Sequence, residues 1–146
     1  MNIKLFSSAT ALTVLRISVG IWMLVYHGWP KLQNFAVYSG QFPDPIFLGS
    51  QLSLLLVIFA EVFCSICVIF GVAIRAVLIP LIITMLVAVF IIHGADPMAK
   101  KELACLYLFI YSALFLGGAG NFKLNVANVL PKNKWIVWVF DSGERR

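Results

Sequence analysis

The chain has 146 residues, 62% of them apolar and only 12% charged, with a net charge of +5. A soluble domain is nearer ~45–50% apolar and ~25% charged, so most of this surface is expected to meet lipid, and no separate soluble catalytic domain fits beside four apolar runs of ~20 residues each. The basic residues are scattered around those runs rather than gathered in a stripe, which argues against nucleic acid and for the lipid bilayer as partner.

Span 1 is predicted from Ala9 to Tyr26, its helix running on at the surface to about Pro30. Lys4 ahead of an apolar stretch raises the question of a signal peptide. Arg16 interrupts that stretch and no small-residue cleavage site follows, so an uncleaved first span is expected. Gly40, Pro43 and Pro45 mark the next loop. Span 2 is predicted from Gln51 to Phe70, and Gly71 to Arg75 form a tight turn. Span 3 runs from Val77 to Ile92, with Pro80 in its first turn, where proline is tolerated. Gly94, Asp96 and Pro97 end it. Span 4 runs from Lys101 to Leu116 and stops at Gly117-Gly118-Ala119-Gly120. Beyond it, Trp135, Val137, Trp138 and Phe140 with Lys132 and Lys134 suit an interfacial segment.

The expected fold is therefore all-α: a membrane-spanning four-helix bundle over residues 1–120, followed by a basic, aromatic tail over 121–146. Four spans put both termini on one side. That side carries Lys4, Arg75, Lys123, Lys132, Lys134, Arg145 and Arg146, against Lys31, Lys100 and Lys101 on the other. The positive-inside bias makes the termini cytoplasmic and turns the loops holding His27, Lys31, His93, Asp96 and Glu102 outward.

Two charges inside apolar runs point to a functional interior: Arg16 in span 1 and Glu61 in span 2. A charge at mid-bilayer costs about 2.5–3.5 kcal/mol on insertion scales, so opposite charges on neighbouring antiparallel spans are expected to pair. Arg16, Gly20, Met23, His27 and Lys31 recur at steps of three and four and form one helical stripe, with Gly20 allowing close approach. His93 ends span 3 and Glu102 opens span 4. These residues predict an outward-opening polar cavity with Arg16, Glu61 and His27 as candidate catalytic groups, and Lys31, His93 and Glu102 as candidate substrate-binding groups. Histidine and carboxylate exchange protons near neutral pH.

No metal site is predicted, because His27, His93 and Glu102 lack ligand spacing. Cys64-Ser65-Ile66-Cys67 has the spacing of thiol oxidoreductases, but it lies mid-helix in apolar surroundings rather than at a helix N-terminus, and packing is the expected role. Cys105 adds no disulfide framework.

The stretch Leu15-Arg16-Ile17-Ser18-Val19-Gly20 followed by His27-Gly28-Trp29-Pro30-Lys31-Leu32 resembles the first span of the DoxX family. The resemblance returns at Ala60-Glu61-Val62-Phe63, Phe70 to Arg75, Met85 to Phe90 through His93, and Glu102-Leu103-Ala104, and so extends from about Thr10 to Lys123. Cys64-Ser65 stands where relatives usually carry paired small residues, often glycines, so the cysteine pair is not a family motif. The resemblance implies a small four-helix protein of the bacterial cytoplasmic (inner) membrane, multi-pass, in a quinone-linked redox setting beside sulfur-handling or superoxide-handling enzymes.

Beside thiol–disulfide exchange through Cys64 and Cys67, three functions are compatible with this pattern. The first is a quinone-linked oxidoreductase subunit, with quinone as the one implied cofactor and a soluble redox or sulfur-handling enzyme as the implied partner. The second is a non-enzymatic membrane scaffold for such an enzyme. The third is a small transporter, which four spans without broken-helix repeats could serve only as a homo-oligomer.

Overall fold

The computed structural model describes residues 8–122 and Leu124, and these are all helix, turn and loop with no strand. Among the described residues three helices are long and apolar enough to cross a membrane: α1 (Ser8–Gln33), α3 (Ser50–Phe70) and α4 (Ile74–Ile92). A short α2 (Phe35–Tyr38) lies in the first loop. The last long helix, α5 (Met98–Gly117), carries Lys100, Lys101 and Glu102 near its start, which shortens its apolar part. The interfacial tail and the terminal basic residues expected from the sequence lie outside the described residues.

Packing follows chain order. α1 lies against α3, α3 against α4, α4 against α5, and α5 closes back onto α1. Val19, Met23, Val68, Leu78, Tyr111 and Leu114 are among the buried side chains where these faces meet. The outward faces keep large apolar residues such as Trp22, Phe63, Phe90 and Phe109 exposed. In water such surface would be unstable; in lipid it is the expected finish for a helix apolar all round.

The register of α1 on α3 decides what the polar residues can do. Gly20 lies against Ser65 and Ile69, and Gly28 against Glu61. The first two turns of α1 overhang the end of α3 and are covered by the chain leaving α5. There Asn121 N–H donates to Thr13 Oγ1 at 2.9 Å, and Leu124 N–H donates to the Phe70 carbonyl at 3.2 Å.

Gly28 is required by this contact. A Cβ at that position would sit 2.7 Å from the Glu61 carbonyl oxygen, a rigid backbone atom. Gly28→Ala is expected to lower stability by about 1–3 kcal/mol, despite alanine's better helix propensity, because the helices must separate. Thermal unfolding in detergent checks this; a gain in stability would contradict the close register.

Each of the three apolar spans contains a wide π-helical turn: Leu24–Gly28 in α1, Phe59–Cys64 in α3 and Ala88–Ile92 in α4. In α1 the Trp29 N–H reaches the Leu24 carbonyl, and after α4 the His93 N–H reaches the Ala88 carbonyl at 2.9 Å, both five residues back. Such turns cost helix regularity and concentrate at functional sites. Here they flank one cavity.

Candidate functional site

The expected pairing of Arg16 with Glu61 is not formed. Arg16 is 1% exposed, yet its partners are backbone carbonyls. Nε donates to the Ala119 oxygen at 2.7 Å and Nη1 to the Val68 oxygen at 2.8 Å, and the guanidinium also meets the Ile69 and Phe122 carbonyls. Val68 and Ile69 lie in the last turn of α3, whose carbonyls carry the negative end of its dipole, so a guanidinium suits them. Gly71, at φ +69, turns the chain out of α3 and leaves room for this group; a Cβ there would stand 3.0 Å from the guanidinium carbon. Arg75 plays a similar part nearby, donating to the Phe115 carbonyl at 3.1 Å.

The physical reason is register. Glu61 lies level with Gly28, roughly 18 Å along the axis from Arg16 at 1.5 Å per residue. Arg16 therefore ties α1 to the end of α3 and the chain after α5, and it takes no part in the cavity.

The partner of Glu61 is Lys31. Its ammonium donates to Glu61 Oε2 at 2.7 Å and to the His27 carbonyl at 3.2 Å. The Glu61 side chain is 5% exposed and the Lys31 side chain 23%. The stripe read along α1 does face inward, but its outer members do the work: Met23, His27 and Lys31 line a cavity of about 590 Å³ together with Glu61 and His93. That volume is within the usual ~300–1,000 Å³ range of small-molecule sites.

Glu102 is exposed and does not line the cavity, although the sequence placed it there. It sits on the outward face of α5, where Leu103, Ala104 and Tyr107 turn toward the cavity instead. Tyr107 is the main residue that the sequence reading missed. Its ring meets His27 edge-on at 5.5 Å and stacks on Tyr111 at 5.8 Å. The signal was available: two tyrosines four residues apart share a helix face.

At the mouth, His93 Nδ1 is 2.9 Å from Asp96 Oδ2, and Lys100 lies 3.6 Å from the same carboxylate. The His93 hydrogen bond is the main cause holding the Asp96 carboxyl below its ordinary range, with Lys100 adding to it. The cavity walls are apolar. Leu56, Phe59, Ile83 and Leu103 are among the lining residues and are also about half exposed on the outer surface of the helices. Among the described residues no three His, Cys, Asp or Glu side chains gather to hold a metal ion, and Cys64, Cys67 and Cys105 are free thiols.

The loop before α3 covers one side. Phe42, Pro43, Pro45 and Ile46 face the cavity, and Asp44 fixes the loop to the helix start. Asp44 accepts from Leu48 N–H at 2.9 Å, Gly49 N–H at 2.7 Å and Ser53 Oγ at 2.8 Å. Desolvation opposes ionisation of Asp44, but the Ser53 hydroxyl and the backbone N–H groups outweigh it and hold the carboxyl below its ordinary value of 3.8. A depressed folded value means that the ordering is fully present above the ordinary value and is lost as pH falls through the lowered one. Asp44→Ala should therefore raise hydrogen exchange across residues 42–49 at neutral pH, and acid should do the same to the wild type. Unchanged exchange in the variant would show that Asp44 does not hold the loop.

Comparison with curated proteins and with solved structures gives no match. The DoxX family model matches residues 11–94, from α1 through the end of α4, and so includes Arg16, His27, Lys31, Glu61 and His93 but not α5. With that match spanning more than half of its length, this chain belongs to the DoxX family.

Proposed function

We propose that this membrane protein binds a quinone in the Lys31–Glu61 cavity and serves as the membrane subunit of a redox complex. The observation that carries the reading is a polar group of Lys31, Glu61 and His27 set in a cavity whose walls are shared with the lipid-facing surface. An aqueous solute has no reason to need such walls; a ring with an apolar tail does. Lys31 and Glu61 balance each other, so an anionic headgroup would face the Glu61 carboxylate and a cationic one the Lys31 ammonium. A neutral carbonyl-bearing ring meets neither penalty.

Quinone supplies two-electron, two-proton redox chemistry when bound. The Lys31 ammonium is placed to donate a hydrogen bond to a ring carbonyl, and Glu61 and His27 to hold or release protons beside it. Electrons come from a soluble redox or sulfur-handling enzyme docked at the membrane. In this reading α5 completes a four-helix bundle in a bacterial cytoplasmic membrane. The Arg16 and Arg75 end faces the cytoplasm with both termini, and the cavity mouth faces out.

The test is solvent extraction and native mass spectrometry of protein purified from its own membranes in mild detergent. Near-stoichiometric quinone in the wild type, lost in Glu61→Gln, is expected. Repeated absence of quinone from folded wild-type protein would reject the reading and favour a scaffold without a redox ligand.

A further inference from the structure

Three hydroxyl groups behind the cavity are unaccounted for. Ser65 Oγ, Tyr107 OH and Tyr111 OH are buried and make no hydrogen bond among the described residues. Ser65 and Tyr111 have no exposed surface, and Tyr107 is 5% exposed. They are also not scattered. Ser65 follows Glu61 by one turn on the same face of α3, and Tyr111 follows Tyr107 by one turn on the same face of α5. Both steps lead away from the cavity mouth. The polar line of Lys31, Glu61 and His27 is thus extended inward, into a zone otherwise filled by Met23, Cys64, Val68 and Leu114.

A buried hydroxyl without a partner costs about what it costs to strip water from it, and native structures hold few such groups. Two stand on one face of α5 with their rings 5.8 Å apart and the third lies one turn inward of Glu61 on α3; each is replaceable by phenylalanine or alanine with the loss of a single oxygen, and together they call for an occupant. The occupant's chemistry is set by the groups facing it. Hydroxyls both donate and accept, and the nearby charge, Glu61, already has its cation on the outer side. An ion would bring charge with no counterpart. A water molecule brings two donors and two acceptors, and buried waters make about three hydrogen bonds.

We propose that Ser65, Tyr107 and Tyr111 enclose an inner water site that hydrates Glu61 from the side opposite Lys31. The site is independent of whether the cavity binds quinone. It gives the Glu61 carboxylate hydrogen-bonding partners on its inner side, so a ligand entering from the lipid meets a group that is already solvated.

X-ray radiolytic footprinting of the full chain in lipid nanodiscs, prepared without added quinone, tests this. Hydroxyl radicals formed from bound water oxidise the side chains beside it, whatever their exposure to bulk solvent. Tyr111 is expected to gain oxygen at a rate comparable to the exposed Tyr38, and Ser65→Ala to slow Tyr111 labelling severalfold with Tyr38 unchanged. A Tyr111 that stays unmodified at doses that oxidise Tyr38 would overturn the proposal. So would a Tyr111 rate that Ser65→Ala leaves untouched.

Discussion

Lys31→Met is expected to destabilise the protein by roughly 3 kcal/mol, the low end of what stranding one partner of a buried ion pair costs. Glu61 is nearly enclosed, and Lys31 is its ion-pair partner among the described residues at 2.7 Å. Methionine keeps most of the apolar stem, so the loss is mainly electrostatic. Partial exposure of Lys31 lets solvent reach the site and keeps the effect at the low end. The double variant Lys31→Met with Glu61→Gln should recover most of the loss, since no charge is left behind, and that non-additivity identifies the pair. Unfolding by heat or denaturing detergent measures all three proteins. A Lys31→Met protein as stable as wild type would mean that Glu61 does not depend on this cation.

Arg16→Ala should have the larger effect on folding and none on the cavity. Hydrogen bonds to a charged group are worth about 1.5–3 kcal/mol each, so losing even two of the carbonyl partners costs about 3–6 kcal/mol. The variant leaves the carbonyls of Val68, Ile69, Ala119 and Phe122 without their shared donor. Little of it should accumulate in membranes. Arg16→Lys should recover only part, because one ammonium cannot reach four carbonyls on two chain segments as a guanidinium does. Whatever folds should bind ligand with wild-type affinity, the cavity being roughly 18 Å away. A well-folded Arg16→Ala protein that had lost ligand binding would return Arg16 to the site.

Much of the fold could be read from the chain because hydrophobic length and the breakers at Gly71, Gly94 and Pro97 mark helix ends locally. The inward stripe of Met23, His27 and Lys31 was legible for the same reason. The pairing was not, because register is a property of two helices. Taking span 1 as Ala9 to Tyr26 centred Arg16 in the bilayer beside Glu61. The helix does run on past Pro30, to Gln33, but it sits on α3 with Gly28 rather than Arg16 level with Glu61, which moves Arg16 to the carbonyls at the far end of α3. Nothing in the sequence announces the π turns either, since their residues are ordinary helix formers in lipid. Glu102 was misplaced by one helical position: its neighbours Leu103 and Ala104 face the cavity and it does not.

The most direct measurement is photolabelling with an azido-quinone, followed by peptide mapping of the modified residues. Labelling centred on Met23, His27 and Tyr107, and competed away by unmodified quinone, is the predicted result. Labelling spread over lipid-facing residues such as Phe63 and Phe109 without competition, or gathered at the Arg16 end, would contradict the Lys31–Glu61 cavity as the ligand site.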